Sequence, residues 1–441
     1  MRVIIWIFYL FFFFSSLHAG EKPNIIWILS DSLRYDHMSL YGYPRKTTPF
    51  LEGISRELII FSQAISPSTV TIISLPSLFT STYTRHLVSH WKGTLNPRLK
   101  TFPQIIKRKG WRTAFISGHG IIGDVRGLAR GFDYFIDNRR LKGSILVGEA
   151  GRWISSVRDK PFFLYLHFMD THGPYNSPPS FYEDFLEDSL YRADKRLPPG
   201  KTDEGREEIP RYVYVEGRNE VDYYIARYDG AIRYVDKNLR ELVAFLKREK
   251  LWEKTILVFT ADHGEYMGEH GLYFVHGNEP YEVVVRVPLI FRIPGIKGKK
   301  ISSPVSTMDI VPTLLNLVSI EPPSYMEGMS LLPLITNKEY PSREFLILSG
   351  NPQRGTWFTA LRTSTHKLIH TGKGKKEWYL LYNLLEDPQE SHPLPPKGEV
   401  FEKLQEKLTA REKKAREDLV SYSPYLDEET RKLLRSLGYV Q

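Results

Sequence analysis

The sequence predicts an α/β/α sandwich on a mostly parallel central sheet, followed by a small C-terminal antiparallel sheet and a helix. Four short β-branched or aromatic runs end abruptly in polar residues: NIIWILSDS (24–32), RTAFISGHG (112–120), FFLYLHFMDTHG (162–173) and TILVFTADHG (255–264). Without apolar–polar alternation, such runs suit strands buried on both faces of a sheet covered by helices. Between the last two, Ile225, Tyr228, Ile232, Val235, Leu239, Leu242 and Leu246 recur at steps of three and four, opposite Lys and Arg. That spacing predicts an amphipathic helix packed on the sheet. Near residue 340 the pattern changes to EFLILSG, FTALRTSTHKLIH and WYLLYNL, which read as antiparallel strands. Phe401, Leu404, Leu408, Ala415 and Leu419 then mark a charged amphipathic helix.

In chain order, residues 1–20 place one arginine before an unbroken apolar run and end in small residues around Ala19. This reads as a secretory signal peptide, with an uncleaved anchor as the other reading, since the run is short for a membrane span. No later segment is long and apolar enough to cross a bilayer, so the expectation is an exported chain, periplasmic or extracellular. Residues 21–340 are expected to form the main domain and 341–441 the smaller one. In STVTIISLPSLFTS (68–81), Pro76 is tolerated in a first helical turn, so the helix is expected to be capped at Ser74 or Leu75 with Thr71 just ahead. Residues 177–220, rich in Pro, Gly, Asp, Glu and Arg, read as a surface excursion near the site mouth.

Composition narrows the chemistry. A chain of 441 residues with no cysteine must hold its core without disulfides, and it has neither a thiol nucleophile nor a thiolate metal site. The formal charge of +9 is spread through mixed runs such as KGKK (297–300) and REKKARE (411–417), without aromatic interleaving or a nucleic-acid motif. Nucleic acid is therefore not an expected partner; a solvated surface or attraction to an anionic substrate or acidic membrane face both remain.

The polar ends of the four central runs carry Asp31, His119, His167 with His172, and Asp262 with His263. Ligands of open α/β sheets gather outside the carboxyl ends of the strands. Two carboxylates and an imidazole, Asp31, Asp262 and His263, suit a hard or borderline divalent cation. His263 favours Zn²⁺ or Mn²⁺, and the carboxylates leave Ca²⁺ or Mg²⁺ open. A metal beside a hydroxyl lowers the cost of deprotonating it and offsets charge developing on a phosphate or sulfate oxygen. Ser68, Thr69, Thr71, Ser74, Ser77 and Thr80 are the candidate hydroxyls. His167, inside its apolar run, reads as a hydrogen-bonded core histidine, and His119 as part of a local turn. Arg34 and Arg286 read as substrate contacts or structural pairs alike, and Glu265 and Glu269 receive no catalytic role.

Several segments together resemble the sulfatase family of the alkaline-phosphatase-like superfamily. They are KPNIIWILSDSLRYDHMSLYGYPRKTTPFLEGI, FTADHGEYMGEHGLY, YEVVVRVPLIFRIPG, STMDIVPTLLNLVSIEPPSYMEGMSLLPLI, WYLLYNLLEDPQE and LDEETRKLLRSLGYV, in the family's order. The resemblance implies an α/β/α catalytic domain, a small C-terminal sheet, a divalent cation and a covalent intermediate. Sulfatases use formylglycine made from a Cys-or-Ser-x-Pro-x-Arg motif; aligned through SLFTS, its first position falls on Thr71 and its arginine on Leu75. Threonine is no precursor of that aldehyde, so formylglycine is not expected. A shifted register would place Ser74 first in SLPSL, still without the arginine.

Thr71 also resembles the nucleophile of phosphoethanolamine transferases, whose Thr-x-Thr-x-x-Ser-x-Pro segment matches Thr69, Thr71, Ser74 and Pro76. Their Asp-His metal pair, Ser-His-Gly-Pro site and later His-Gly resemble Asp262 with His263, THGP (171–174), and His276 with Gly277. Asp31 stands where those transferases have glutamate, and their membrane spans and disulfides are missing. Against the sulfatases, Ser32 replaces a second aspartate and SGHG replaces a Lys-x-His segment. The resulting expectation is a metal-dependent hydrolase of sulfate, phosphate or phosphonate esters with Asp31, Thr71, Asp262 and His263 at the metal. Thr71 is the nucleophile; His172 and His276 stabilise oxygens or protonate the leaving group. The alternatives are a transferase acting on an envelope lipid or glycan head group, and a metal-binding protein that holds anionic glycans without turnover.

Overall fold

The β-branched and aromatic runs become strands of two sheets in a computed structural model that describes residues 22–83, 95, 98–120, 122–124, 127–351, 356–373 and 376–422. The leader-like residues 1–20 and LDEETRKLLRSLGYV at 426–440 lie outside the described residues. The larger sheet contains β1 (Asn24–Ser30), β2 (Ile59–Ile65), β3 (Arg112–Ser117), β4 (Tyr134–Asp137), β5 (Phe162–Phe168), β6 (Thr255–Thr260), β7 (Arg286–Arg292), β8 (Lys299–Ile301) and β9 (Val305–Ser306). Its order is β4-β3-β5-β1-β6-β7-β2-β8, with β9 also on β2. From β4 to β6 every pairing is parallel, and β7 runs against both its neighbours. All seven residues of β1 are buried, as the unbroken apolar run requires of the strand between β5 and β6.

Alternate strand residues enter two cores. On one face Ile26, Ile28, Leu164, Leu166 and Phe259 meet α2 (Gly143–Val157) and α3 (Val221–Arg248), but α1 (Thr71–Thr80) and α4 (Ile310–Leu317) cover the other, against Ile25, Trp27, Leu29, Phe163 and Tyr165. That is the expected three-layer sandwich, and the Tyr228 to Leu246 stripe of α3 lies in the first core.

Helix α1 begins earlier than the sequence suggests. Val70 is its N-cap and Thr71 its first residue, so neither Ser74 nor Leu75 is a cap and Pro76 lies inside the helix. An interior proline costs about 3 kcal/mol. Leu75, Leu78 and Phe79 are buried, at about 1.5–3 kcal/mol each, which exceeds that cost. Hydroxyl bonds from Ser77 to the Ile73 carbonyl (2.9 Å) and from Thr80 to the Pro76 carbonyl (2.7 Å) bridge the turns on either side.

The smaller sheet is an antiparallel meander, β10 (Phe345–Asn351), β11 (Thr356–Arg362), β12 (His366–Lys373) and β13 (Lys376–Asn383). Phe401, Leu404 and Leu408 of α5 (Glu399–Tyr422) pack on one face. The side chains of Ala415 and Leu419 lie outside the described residues. The other face, with Phe345, Ile347, Phe358 and Ile369, packs on Ile65, Tyr266, Val284 and Val285 of the site-bearing segments. Residues 177–220 form an excursion held by Arg45, which binds Asp188 at 2.7 Å and buried Asp229 at 2.8 Å.

A candidate metal and nucleophile site

Parallel strands bring their carboxyl ends to one edge. Asp31 directly follows β1, Asp262 and His263 follow β6 by one residue, Asp170–His172 lie just past β5 and His119 just past β3. Thr71, the first residue of α1, reaches this edge through the loop that follows β2. Ser66 and Ser74 fasten that loop to the end of β6, both donating to the Asp262 carbonyl, Ser74 at 3.1 Å.

Asp31, Asp262 and His263 each present a ligand atom within 4.8 Å of the others, and all three are fully buried. The Thr71 hydroxyl donates to Asp31 Oδ2 at 3.3 Å and lies 3.2 Å from His263 Nε2. These residues fit a divalent cation. His263 Nδ1 donates to the Gly264 carbonyl at 2.9 Å, which leaves the Nε2 lone pair facing the cluster. Asp262 Oδ1 accepts from the Ser32 and His263 amides at 3.2 and 3.0 Å, whereas its buried Oδ2 makes no hydrogen bond although His263 Nε2 is 3.3 Å away. A buried, unpaired carboxylate oxygen is costly, and a cation removes that cost.

Charge is distributed unevenly between the two aspartates. Burial, then the charge of Asp31, pushes Asp262 up to about 7. Burial acts on Asp31 in the same sense, but the hydrogen bond from His167 and the imidazoles of His172 and His263 hold it well below the ordinary carboxylate range. Burial pushes His263 down, favouring the neutral imidazole a metal needs.

All six residues singled out for metal, nucleophile and substrate roles come together. The His276 ring stacks on His263 with centroids 4.3 Å apart, and His172 meets His276 edge-on at 5.1 Å. His172 Nδ1 donates to the Gly173 carbonyl at 2.8 Å. Ser74, the first residue of the shifted register, is fully buried with its hydroxyl turned to the Ser68 and Asp262 carbonyls.

Other residues take roles the sequence reading did not give them. His167 is a buried, hydrogen-bonded histidine, as expected, but its partner is Asp31 Oδ2 at 3.1 Å, so it belongs to the site. It pairs with Leu29 and Ser117, close to the ends of both neighbouring strands, and that position is the signal that could have found it. His119 follows β3 between bends at Gly118 and Gly120; its ring is 5.7 Å from His167 and burial pushes it down to about 4. Glu265, fully buried, accepts from Tyr175 and lies 3.4 Å from His276 Nδ1. Nothing in the sequence marked it apart from adjacency to the Asp-His pair.

Arg34 is committed to Asp36 (2.7 Å) and Glu269 (2.8 Å), and Arg286 to the Ser62 carbonyl with its guanidinium over Tyr35. Both are structural. From β10, the Ser349 hydroxyl donates to the Asn278 carbonyl at 2.7 Å and contacts the Thr69 hydroxyl. Its one proton is already used, so Thr69 is the donor in that contact.

Comparison with known proteins agrees with this architecture. A family model described as Sulfatase matches residues 23–320, and one described as N-sulphoglucosamine sulphohydrolase, C-terminal, matches residues 268–418. An ulvan-active sulfatase of Formosa agariphila is 27% identical over 88% of this chain and 80% of its own length. An N-acetylglucosamine-6-O-sulfatase of Bacteroides thetaiotaomicron is 24% identical over 88% of this chain and 85% of its own. Among solved structures, the phosphonate monoester hydrolase of Agrobacterium radiobacter superposes with a TM-score of 0.72 at 18% identity, over 89% of this chain and 96% of that one.

Proposed function

The chain belongs to the sulfatase family, and from that premise we propose that it cleaves sulfate esters, or the isosteric phosphate or phosphonate esters, with Thr71 as its nucleophile. The observation that carries this reading is the position of the Thr71 hydroxyl, between Asp31 Oδ2 and His263 Nε2 at 3.3 and 3.2 Å. No cysteine exists to be converted to formylglycine, and the nearby serine, Ser74, points its hydroxyl at backbone carbonyls.

Asp31, Asp262, His263 and the Thr71 oxygen would hold a divalent cation, Zn²⁺ or Mn²⁺ by the imidazole and Ca²⁺ or Mg²⁺ by the carboxylates. When bound, the cation would lower the cost of ionising the hydroxyl and offset charge on the ester oxygens. The residues supply the remaining chemistry. Thr71 at the start of α1 places its oxygen in line with the sulfur or phosphorus centre, and attack there forms a threonyl ester as the bond to the alcohol breaks. His172 and His276 lie beside that centre, where they bind non-bridging oxygens and supply the proton taken by the departing alkoxide. Glu265 holds His276 through Nδ1 and so presents its Nε2 to the ester. Water then cleaves the threonyl ester: its oxygen leaves on the sulfate or phosphate, one of its protons restores the imidazole that protonated the alcohol, and the bond to the Thr71 oxygen breaks.

A transferase reading is favoured by one feature, the Thr69, Thr71, Ser74 and Pro76 spacing. It differs only in using an acceptor alcohol in place of water, and products formed with added alcohol separate the two. The leader-like residues 1–20 support a periplasmic or extracellular enzyme, and the sulfatase relatives support an anionic, sugar-borne ester as substrate.

The test is intact-protein and peptide mass spectrometry after brief exposure of metal-loaded protein to aryl sulfate, phosphate and phosphonate esters. An adduct on Thr71, absent from Thr71→Ala, is the expected result. An unmodified Thr71 beside an aldehyde at residue 74 would overturn the nucleophile, and metal binding without turnover or adduct would leave a non-catalytic anion-binding protein.

A further inference from the structure

The excursion at 177–220 brings Tyr212 to the mouth of the site. Its ring lies 6.3 Å from that of His172, and its hydroxyl donates to the Phe274 carbonyl at 2.7 Å. Burial pushes the phenol well above its ordinary range, yet the residue is 37% exposed. The hydroxyl is anchored by its bond to the Phe274 carbonyl, and more than a third of the residue remains open to solvent.

Gly173 permits this seat. A Cβ there would lie 2.8 Å from Tyr212 Cε2 and 2.9 Å from Val213 Cγ2, so any side chain would displace the ring or Val213 from this seat. The wall behind is fixed: the Tyr273 amide donates to the Gly205 carbonyl at 2.8 Å, the Glu207 amide to the Gly271 carbonyl at 3.1 Å, and Val213 is fully buried. An aromatic face held this way loses little freedom when a ligand lands on it.

We infer that the Tyr212 ring, seated on Gly173, is a binding subsite for the alcohol half of the ester, on which a six-membered sugar stacks by its C–H face. This rests on the reading above that the alcohol departs on the side of His172 and His276, because Tyr212 lies beyond His172. A single half-open aromatic face suits a ring with one apolar face and hydroxyl edges; Asp203 and Arg211, paired at 3.4 Å, supply a polar border on the same excursion.

The experiment compares metal-loaded wild type with Tyr212→Phe, Tyr212→Leu and Tyr212→Ala. The probes are glucose 6-sulfate and glucose 6-phosphate, each against its methyl ester. KM, kcat and calorimetric affinity are measured for all four. Tyr212→Ala and Tyr212→Leu are expected to bind the glucose esters about ten-fold more weakly and the methyl esters within about two-fold of wild type, with Tyr212→Phe close to wild type throughout. The leucine variant keeps apolar bulk, so it reports on the flat face even where the alanine variant fails to fold. Equal losses on glucose and methyl esters, unchanged glucose-ester binding, or a wild type without preference for the glucose esters would each overturn the subsite. Should the wild type turn over none of the probes, the calorimetric comparison still decides the subsite, and only the hydrolase reading falls.

Discussion

Replacing Lys367 with methionine tests whether buried charge locks the small sheet to the site-bearing segments. Lys367, fully buried on β12, places Nζ 3.0 Å from Glu282 Oε1, 2.9 Å from Glu390 Oε1 and 3.0 Å from the Pro280 carbonyl. Glu282 keeps Arg362 at 3.2 Å after the change, whereas Glu390 keeps only the Glu282 amide. Removing one partner of a buried pair costs about 3–5 kcal/mol. Protonation of the orphan limits that loss. Burial, partly offset by Lys367 and reinforced by the charge of Glu282, already pushes Glu390 up to about 7, and losing the lysine pushes it further.

A carboxyl raised in the folded state contributes stability below its unfolded pKa, and this is lost as pH rises through the folded value. The deficit of the variant therefore stays level up to about pH 7 and grows above it, where Glu390 ionises in the wild type but not in the variant, by up to about 1.4 kcal/mol per unit. Glu282 has the opposite sign: despite its burial, Lys367 and Arg362 hold it down to about 2, so in the wild type its contribution is lost only in strong acid. Urea unfolding followed by circular dichroism, at about pH 5.5 and about pH 8, should show Lys367→Met losing several kcal/mol at the higher pH and distinctly less at the lower. Adding Glu390→Gln should restore most of the loss. A deficit under about 1 kcal/mol at pH 8, against the 3–5 expected, or one equal at both pH values, would refute the reasoning.

Thr71→Ala should lower kcat by about three orders of magnitude or more and abolish any pre-steady-state burst, and Thr71→Ser should retain measurable turnover. Chelation should abolish activity and lower the melting temperature in scanning calorimetry. The drop should be larger at about pH 8 than at about pH 6, because Asp262, pushed up to about 7, is ionised at the higher pH and left beside Asp31 without a cation. Ser349→Ala removes the hydroxyl between Thr69 and the Asn278 carbonyl, and should lower kcat by up to about ten-fold with KM nearly unchanged in steady-state assays. Glu265→Ala frees His276 and leaves the Tyr175 hydroxyl buried without its acceptor; a fall of roughly 10–100-fold in kcat/KM is expected, with metal affinity checked by titration calorimetry.

Local chemistry alone determined much of this protein. Short unbroken runs such as NIIWILS, closed by polar residues, suit strands buried on both sides, and the three-and-four spacing from Ile225 to Leu246 hides its apolar stripe as a helix. Polar residues at the ends of such strands implied a site, and Asp31, Asp262 and His263 were legible there because their side-chain chemistry is unusual after apolar runs, whereas Thr71 stood out from five other hydroxyls only through the family resemblance. Distances across the fold decided the rest. Thr71 begins α1 because the burial of Leu75, Leu78 and Phe79 outweighs an interior proline, a balance that depends on the sheet beneath. Arg34 could not be told from a substrate ligand until Asp36 and Glu269 were found around it. His167 joins Asp31 only because β5 lies beside β1 in that register, and Glu265 and Tyr212 matter only through what the chain folds against them. A sequence records which groups can bond and which must be buried; which partner each one meets depends on tertiary packing, because those partners lie up to several hundred residues away.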